Sequence, residues 1–77
     1  MEITVIYSGI LAEKTGKVNE SLSGAKSLFE IKDILAAKYK GFSELSYVVS
    51  LNGVIEHKDV SIKEGDQVAL IPPIPGG

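Results

Sequence analysis

Val68-Ala69-Leu70-Ile71-Pro72-Pro73-Ile74-Pro75-Gly76-Gly77 closes the chain. An apolar run of this kind suits a central strand. A central last strand lies most naturally beside the first. The prolines then end it, because each lacks a backbone N–H and holds its own φ near the extended region. Residues 1–71 therefore read as one folded domain, and residues 72–77 as a narrow tail continuing from its centre.

Working back from that strand, Glu64-Gly65-Asp66 reads as a tight turn within a turn-rich segment from Asp59 to Gln67. Tyr47-Val48-Val49-Ser50-Leu51 is strand-like and Val54-Ile55-Glu56 returns from it. Between them Asn52-Gly53 is a strong hairpin signal, since both residues tolerate positive φ. Upstream lies the clearest helix. Ser27-Leu28-Phe29-Glu30 fits a capping box, in which hydroxyl and carboxylate satisfy free N–H groups at a helix start. Leu28, Ile31, Ile34 and Leu35 recur at helical spacing as one apolar stripe. Lys38 and Lys40 suit the negative end of the dipole, and Gly41 with Phe42 suits a helix stop. The spacing predicts a helix over about residues 28–40. At the start, residues 2–8 alternate as a strand, with Ile3, Val5 and Tyr7 on one side. Val18, Glu20 and Leu22 suggest its hairpin partner. Gly9 and Gly16 bracket what reads as a loop, Ile10 to Lys17.

The order β-β-α-β-β-β leaves a single main helix to cover one face of a mixed sheet of four to five strands. The fold class is α+β, a sheet grasping one helix. The helix covers only one face, so the other is expected to present an apolar patch for a larger partner, with Ile71 and Ile74 at the docking junction.

Composition limits the functions open to such a domain. With 77 residues, it buries only about 60% of the surface its unfolded chain exposes, which leaves little room for a deep cleft. Its 44% hydrophobic and 23% charged content is that of a globular chain. The net charge is −2, with eight Lys and no Arg, so the basic excess of a nucleic-acid binder is missing. There is no Cys, which excludes thiol nucleophiles and thiolate metal sites, and His57 is the single His. No nucleophile–base pair, metal set or phosphate loop is visible, so an independent enzyme is disfavoured. No apolar run approaches the ~20 residues of a membrane span and no signal peptide is evident, so the expected location is cytoplasmic. Ser27 and Glu30 are accounted for as a helix cap, and the lysines as solvated surface charges.

The tail carries the sharper expectation. Pro72, Pro73 and Pro75 also bias the residues before them towards extended geometry. In extended form six residues reach roughly 19 Å, and a stiff tail loses less entropy on insertion than a flexible one. Gly76 and Gly77 have no Cβ and fit a narrow channel. A chain-terminal carboxylate, with a pKa of about 3.3–3.7, is ionised at neutral pH and can attack the α-phosphate of ATP.

The run Ile62-Lys63-Glu64-Gly65-Asp66-Gln67-Val68-Ala69-Leu70-Ile71-Pro72-Pro73-Ile74-Pro75-Gly76-Gly77 resembles the family of molybdopterin synthase small subunits, within the ubiquitin-like β-grasp sulfur carriers. There a Gly-Asp turn leads to an apolar strand, then Pro-Pro, two variable residues and Gly-Gly. Asn52-Gly53 fits the family's hairpin. Many members have Phe-Ala where this chain has Ser8-Gly9, and Arg where it has Ala12. The resemblance implies that Gly77 is adenylated by a ubiquitin-activating-type enzyme using ATP. A persulfide sulfur, supplied by a sulfurtransferase, then displaces AMP and leaves a thiocarboxylate. The tail, Pro72, Pro73, Ile74, Pro75 and Gly76, enters the large subunit of the synthase. Sulfur passes there to a cyclic pyranopterin to build the dithiolene of molybdopterin. On this reading the chain is the sulfur-donating subunit of a heteromeric sulfurtransferase. It is not catalytic alone, binds no cofactor or metal of its own, and engages neither nucleic acid nor membrane. A carrier for thiamine thiazole synthesis shares the Gly-Gly end, although such carriers usually lack the Pro-Pro pair. A tRNA-thiolation carrier or ubiquitin-like modifier, and a plain interaction module with an inert tail, are the other readings.

Overall fold

Strand β5 (Gln67–Ile71) lies at the centre of a five-stranded sheet, and the remaining elements are arranged around it. The computed structural model describes residues 2–73. In chain order the elements are β1 (Glu2–Tyr7), α1 (Ile10–Thr15), β2 (Asn19–Ser23), α2 (Leu28–Lys38), a 3₁₀ turn (Phe42–Glu44), β3 (Val48–Leu51), β4 (Val54–Glu56) and β5. The sheet order is β2-β1-β5-β3-β4. The first and last strands run parallel, with Val5 beside Val68 and Tyr7 beside Leu70. All other pairings are antiparallel. The expected place of the last strand beside the first is thus observed, and the fold is a β-grasp.

The pleat divides β5 between two environments. Val68 and Leu70 have no exposed surface and join Ile3, Val5, Tyr7, Leu22 and Val49 from the other strands. Leu28, Ile31 and Leu35 of α2 close over them, and Ile34 packs at the margin. Burying each such side chain contributes about 1.5–3 kcal/mol. Gln67, Ala69 and Ile71 alternate to the opposite face.

Two devices fix how β5 enters the sheet. The backbone N–H of Asp66 donates to the Lys63 carbonyl at 3.1 Å, closing the expected turn. The buried Asp66 carboxylate accepts from the Lys63 N–H (2.7 Å) and from Asn52 Nδ2 (3.1 Å), while Asn52 Oδ1 accepts the Gln67 N–H (2.9 Å). The Asn52 and Lys63 hydrogen bonds hold the Asp66 carboxyl below its usual range. Asn52 has φ 50° and Gly53 φ 90°, as a type I′ hairpin turn requires. One hairpin residue therefore closes the β3–β4 turn and sets the start of β5.

The N-terminus of α2 is capped as the sequence suggests, with one addition. Ser27 Oγ accepts the Glu30 N–H at 3.3 Å, and the Glu30 carboxylate reaches back to the Lys26 N–H at 2.8 Å. Asp59, thirty residues away, also accepts the Phe29 N–H at 3.0 Å. The helix stops at Lys38, short of the expected residue 40. Tyr39 turns out into an extended conformation so that its ring meets Tyr7 and Phe42 and its hydroxyl reaches Glu20.

Glu20 gathers this end of the molecule. Its side chain is 7% exposed and pairs with Lys38 Nζ at 2.6 Å and Lys17 Nζ at 3.2 Å, while the hydroxyls of Tyr7 and Tyr39 donate to its other oxygen. Burial alone pushes the carboxyl up, but hydrogen bonds from Lys38, Tyr39, Tyr7 and Lys17 outweigh it and hold it at about 2. Burial and the Glu20 carboxylate push the Tyr7 hydroxyl well above its usual range. Since the Glu20 carboxyl ordinarily titrates at 4.5, the unfolded chain takes up this proton more readily than the folded one. The cluster's stabilisation is therefore complete above about pH 4.5 and is lost as pH falls towards 2. Its size is on the order of 2–3 kcal/mol. Glu20→Gln is expected to lower the urea midpoint at pH 7 and to flatten its decline below pH 4.5 relative to the wild type. Parallel declines for the two proteins would refute this assignment.

The expected loop from Ile10 to Lys17 is instead the short helix α1, a correction with a local cause. Leu11 and Thr15, four residues apart, are both buried and form a one-sided stripe. Thr15 Oγ1 donates to the Leu11 carbonyl at 2.9 Å, and Gly16 N–H closes the last turn on the Ala12 carbonyl at 2.9 Å. The two glycines read as loop boundaries are its caps.

Candidate functional site

The root of the tail is built where three strands meet one end of the sheet. Because β1 and β5 are parallel, both finish at the same end, and Ser8-Gly9 comes to lie beside Pro72. On the other side of β5, Ile71 pairs with Val48 at the start of β3. Ile71 and Pro72 are half-buried there, and Pro73 is exposed. The expectations for Ile74, Pro75, Gly76 and Gly77, including the docking contact of Ile74 and the chemistry of Gly77, lie outside the described residues.

Gly9 is a participant that the sequence did not reveal. It caps α1, its carbonyl accepting the N–H groups of Ala12 (3.0 Å) and Glu13 (3.2 Å). Its φ is +55° and its ψ −130°, a backbone region open in practice to glycine alone. The position a Cβ would take is 3.0 Å from Pro72 Cγ. Gly9 is thus the place where the proline ring approaches the backbone at the start of α1.

The face of the sheet away from α2 carries the expected apolar patch. The register aligns Ile6, Ala69, Ser50 and Ile55 across four strands, with Ile71 and Val48 in the next row. Ile55 is 46% exposed, and Ile6, Ala69, Ile71 and Val48 are half-buried. An apolar surface continuous with the root of a tail can hold the body of the domain on a partner while the tail reaches inwards.

On the α2 side of the same end, Phe29, Lys32, Tyr47, His57 and Lys58 line a shallow groove of about 90 Å³. Lys32 Nζ stands over the Phe29 and Tyr47 rings at 5.1 and 5.8 Å. The groove is far smaller than the ~300 Å³ at which small-molecule sites begin. Among the described residues no group of three His, Asp or Glu is placed to hold a metal ion, and no helix is long and apolar enough to cross a membrane. Ser27 and Glu30 are engaged in capping, and Lys17 is tied to Glu20.

The sequence profile of the ThiS family matches residues 5–77. No curated protein matches the chain significantly. Solved structures share the fold along the whole length. A putative molybdopterin converting factor subunit 1 from Pyrococcus furiosus superposes with a TM-score of 0.86 at 20% identity, over 96% of this chain and 99% of the other. SAMP1 from Haloferax volcanii gives 0.84 at 19% identity, over 100% of both chains. A chain in the complex of subunits 1 and 2 of molybdopterin-converting factor from Helicobacter pylori gives 0.76 at 26% identity, also over 100% of both.

Proposed function

The chain belongs to the ThiS family of ubiquitin-like sulfur carriers, and from that premise we propose that it is the sulfur-donating small subunit of a molybdopterin synthase. The observation that carries the proposal is the continuity of the central strand with its tail. β5 is held on both sides, ends at Ile71 beside the open apolar face, and leads through half-buried Pro72 to exposed Pro73. The Helicobacter pylori relative is described as a complex of subunit 1 with subunit 2, which supports a protein partner for this chain too.

In this reading the chain binds no cofactor and the chemistry falls at Gly77. Its carboxylate attacks the α-phosphorus of ATP inside an adenylating enzyme, and pyrophosphate leaves. A carboxylate is a poor electrophile, whereas the acyl-adenylate has a good leaving group. The terminal sulfur of a sulfurtransferase persulfide displaces AMP to give an acyl disulfide. A thiol then cleaves the S–S bond, leaving the thiocarboxylate on Gly77 and a disulfide on the donor side. The body docks on the large subunit through Ile6, Val48, Ala69 and Ile71, and the tail carries the sulfur to the pterin. Acid–base groups belong to the partner.

The Pro72-Pro73 pair favours a pterin acceptor over a thiazole one. The test is to supply thiocarboxylated chain with the large subunit and cyclic pyranopterin monophosphate. Dithiolene formation is expected, with two equivalents of carrier consumed per pterin. Sulfur transfer only to a thiazole precursor or to tRNA would overturn the pathway while leaving the carrier role in place.

A further inference from the structure

Resting on the sulfur-carrier reading, we propose that Gly9 is a positioning residue for tail activation: the seat it forms for the Pro72 ring sets the direction in which the tail enters the adenylating enzyme. The seat is rigid for reasons visible in the fold. α1 is anchored in the core by Leu11, which has no exposed surface, and by buried Thr15. Gly9 caps that helix through two backbone hydrogen bonds. Pro72 follows a central strand paired on both sides up to Leu70, with Ile71 still paired to Val48 of β3. The ring and the glycine are therefore fixed by separate parts of the core and meet where a Cβ at residue 9 would stand 3.0 Å from Pro72 Cγ. A ring pushed from that position must move by a few tenths of an ångström.

The consequence grows with distance. Pro73 and Pro75 restrict the backbone beyond the seat, so a change of direction at Pro72 is passed on towards the chain end rather than absorbed at once. A misplacement of about 1 Å at a reacting group costs about 100-fold in rate. The reacting group is the Gly77 carboxylate, whose oxygen must align with the α-phosphorus as the bond to pyrophosphate breaks. On this proposal the adenylating enzyme grips the body through the same open sheet face as the large subunit, a surface that does not include Gly9. The seat should thus affect kcat and leave KM alone.

The test uses the full chain and ATP–pyrophosphate exchange with the ubiquitin-activating-type enzyme of the same genome. Gly9→Ala is expected to lower kcat by about 10- to 100-fold at unchanged KM for the chain. In a Pro72→Ala background the same Gly9→Ala change should cost much less, because no ring remains to be displaced. Backbone strain at residue 9 by itself would give equal losses in both backgrounds, and that result overturns the proposal. So does a folded Gly9→Ala protein with wild-type kcat. A nuclear Overhauser contact between Gly9 Hα and Pro72 Hγ in the unaltered chain is the measurement that survives if the variant does not fold, and its absence also overturns the seat. Exchange with the wild type but no change on substitution removes this inference alone. Failure of the wild type to support exchange removes the carrier reading and this inference with it.

Discussion

Deletion of Gly77 is expected to abolish adenylation and sulfur loading while leaving the urea midpoint unchanged. At the rise of an extended chain the deletion removes about 3.1 Å of reach and presents the carboxylate of Gly76 instead. That is several times the ~1 Å error that costs about 100-fold in a positioned reaction, so no measurable rate should survive. The folded body does not depend on Gly77. The tail begins beyond Ile71, and the buried core runs from Ile3 to Leu70. ATP–pyrophosphate exchange and a urea titration on the same preparation check both halves. Gly77→Ala keeps the length and adds one methyl group, so it should lose part of the rate where the deletion loses all. A deleted chain that still loads sulfur would make the tail an inert docking element.

The second large effect separates neighbours on one strand. Leu70→Ala removes a side chain with no exposed surface that lies between Tyr7 of β1 and Val49 of β3. Buried Leu→Ala changes cost about 2–5 kcal/mol. A domain of this length has only about 4–12 kcal/mol in total, so the variant should lose a large share of its stability. Its urea midpoint should fall with the slope m unchanged. Ile71→Asp, one residue further on, points to the other face. It should change stability by no more than about 1 kcal/mol, yet remove most of the affinity for the large subunit by placing a charge in an apolar interface. Isothermal titration and urea unfolding of both variants should show the opposite pattern for each. If Ile71→Asp binds normally, the open face is not the docking surface.

These contrasts follow from what the sequence makes legible. The all-apolar run Val68 to Ile71 announces a central strand, and Asn52-Gly53 announces a hairpin, because each signal is local and has one cheap backbone solution. The capping of α2 by Ser27 is local in the same way. What stays hidden depends on residues far apart in the chain. Asp59 caps a helix thirty positions away, and Glu20 collects Tyr7, Lys17, Lys38 and Tyr39 only once the sheet and helix are assembled. The helix ends two residues early because Tyr39 is drawn to that cluster. The caps of α1 read as loop boundaries because glycines also delimit loops, although Leu11 and Thr15 at four-residue spacing are a signal for a helix. Of the candidate site, the sequence exposes the tail and the Ile71 junction. The approach of Pro72 to Gly9 appears only when the parallel pairing of β1 and β5 brings their ends together.

The central claim is that sulfur travels on Gly77. Intact mass of the chain isolated with its native partners, with C-terminal fragments to localise any change, tests it most directly. Fragmentation is essential, because replacing one oxygen by sulfur adds nearly the same mass as oxidising Met1. The account predicts sulfur in place of oxygen on Gly77, appearing on incubation with ATP, the adenylating enzyme and a sulfur source. An unmodified Gly77 under those conditions would contradict it.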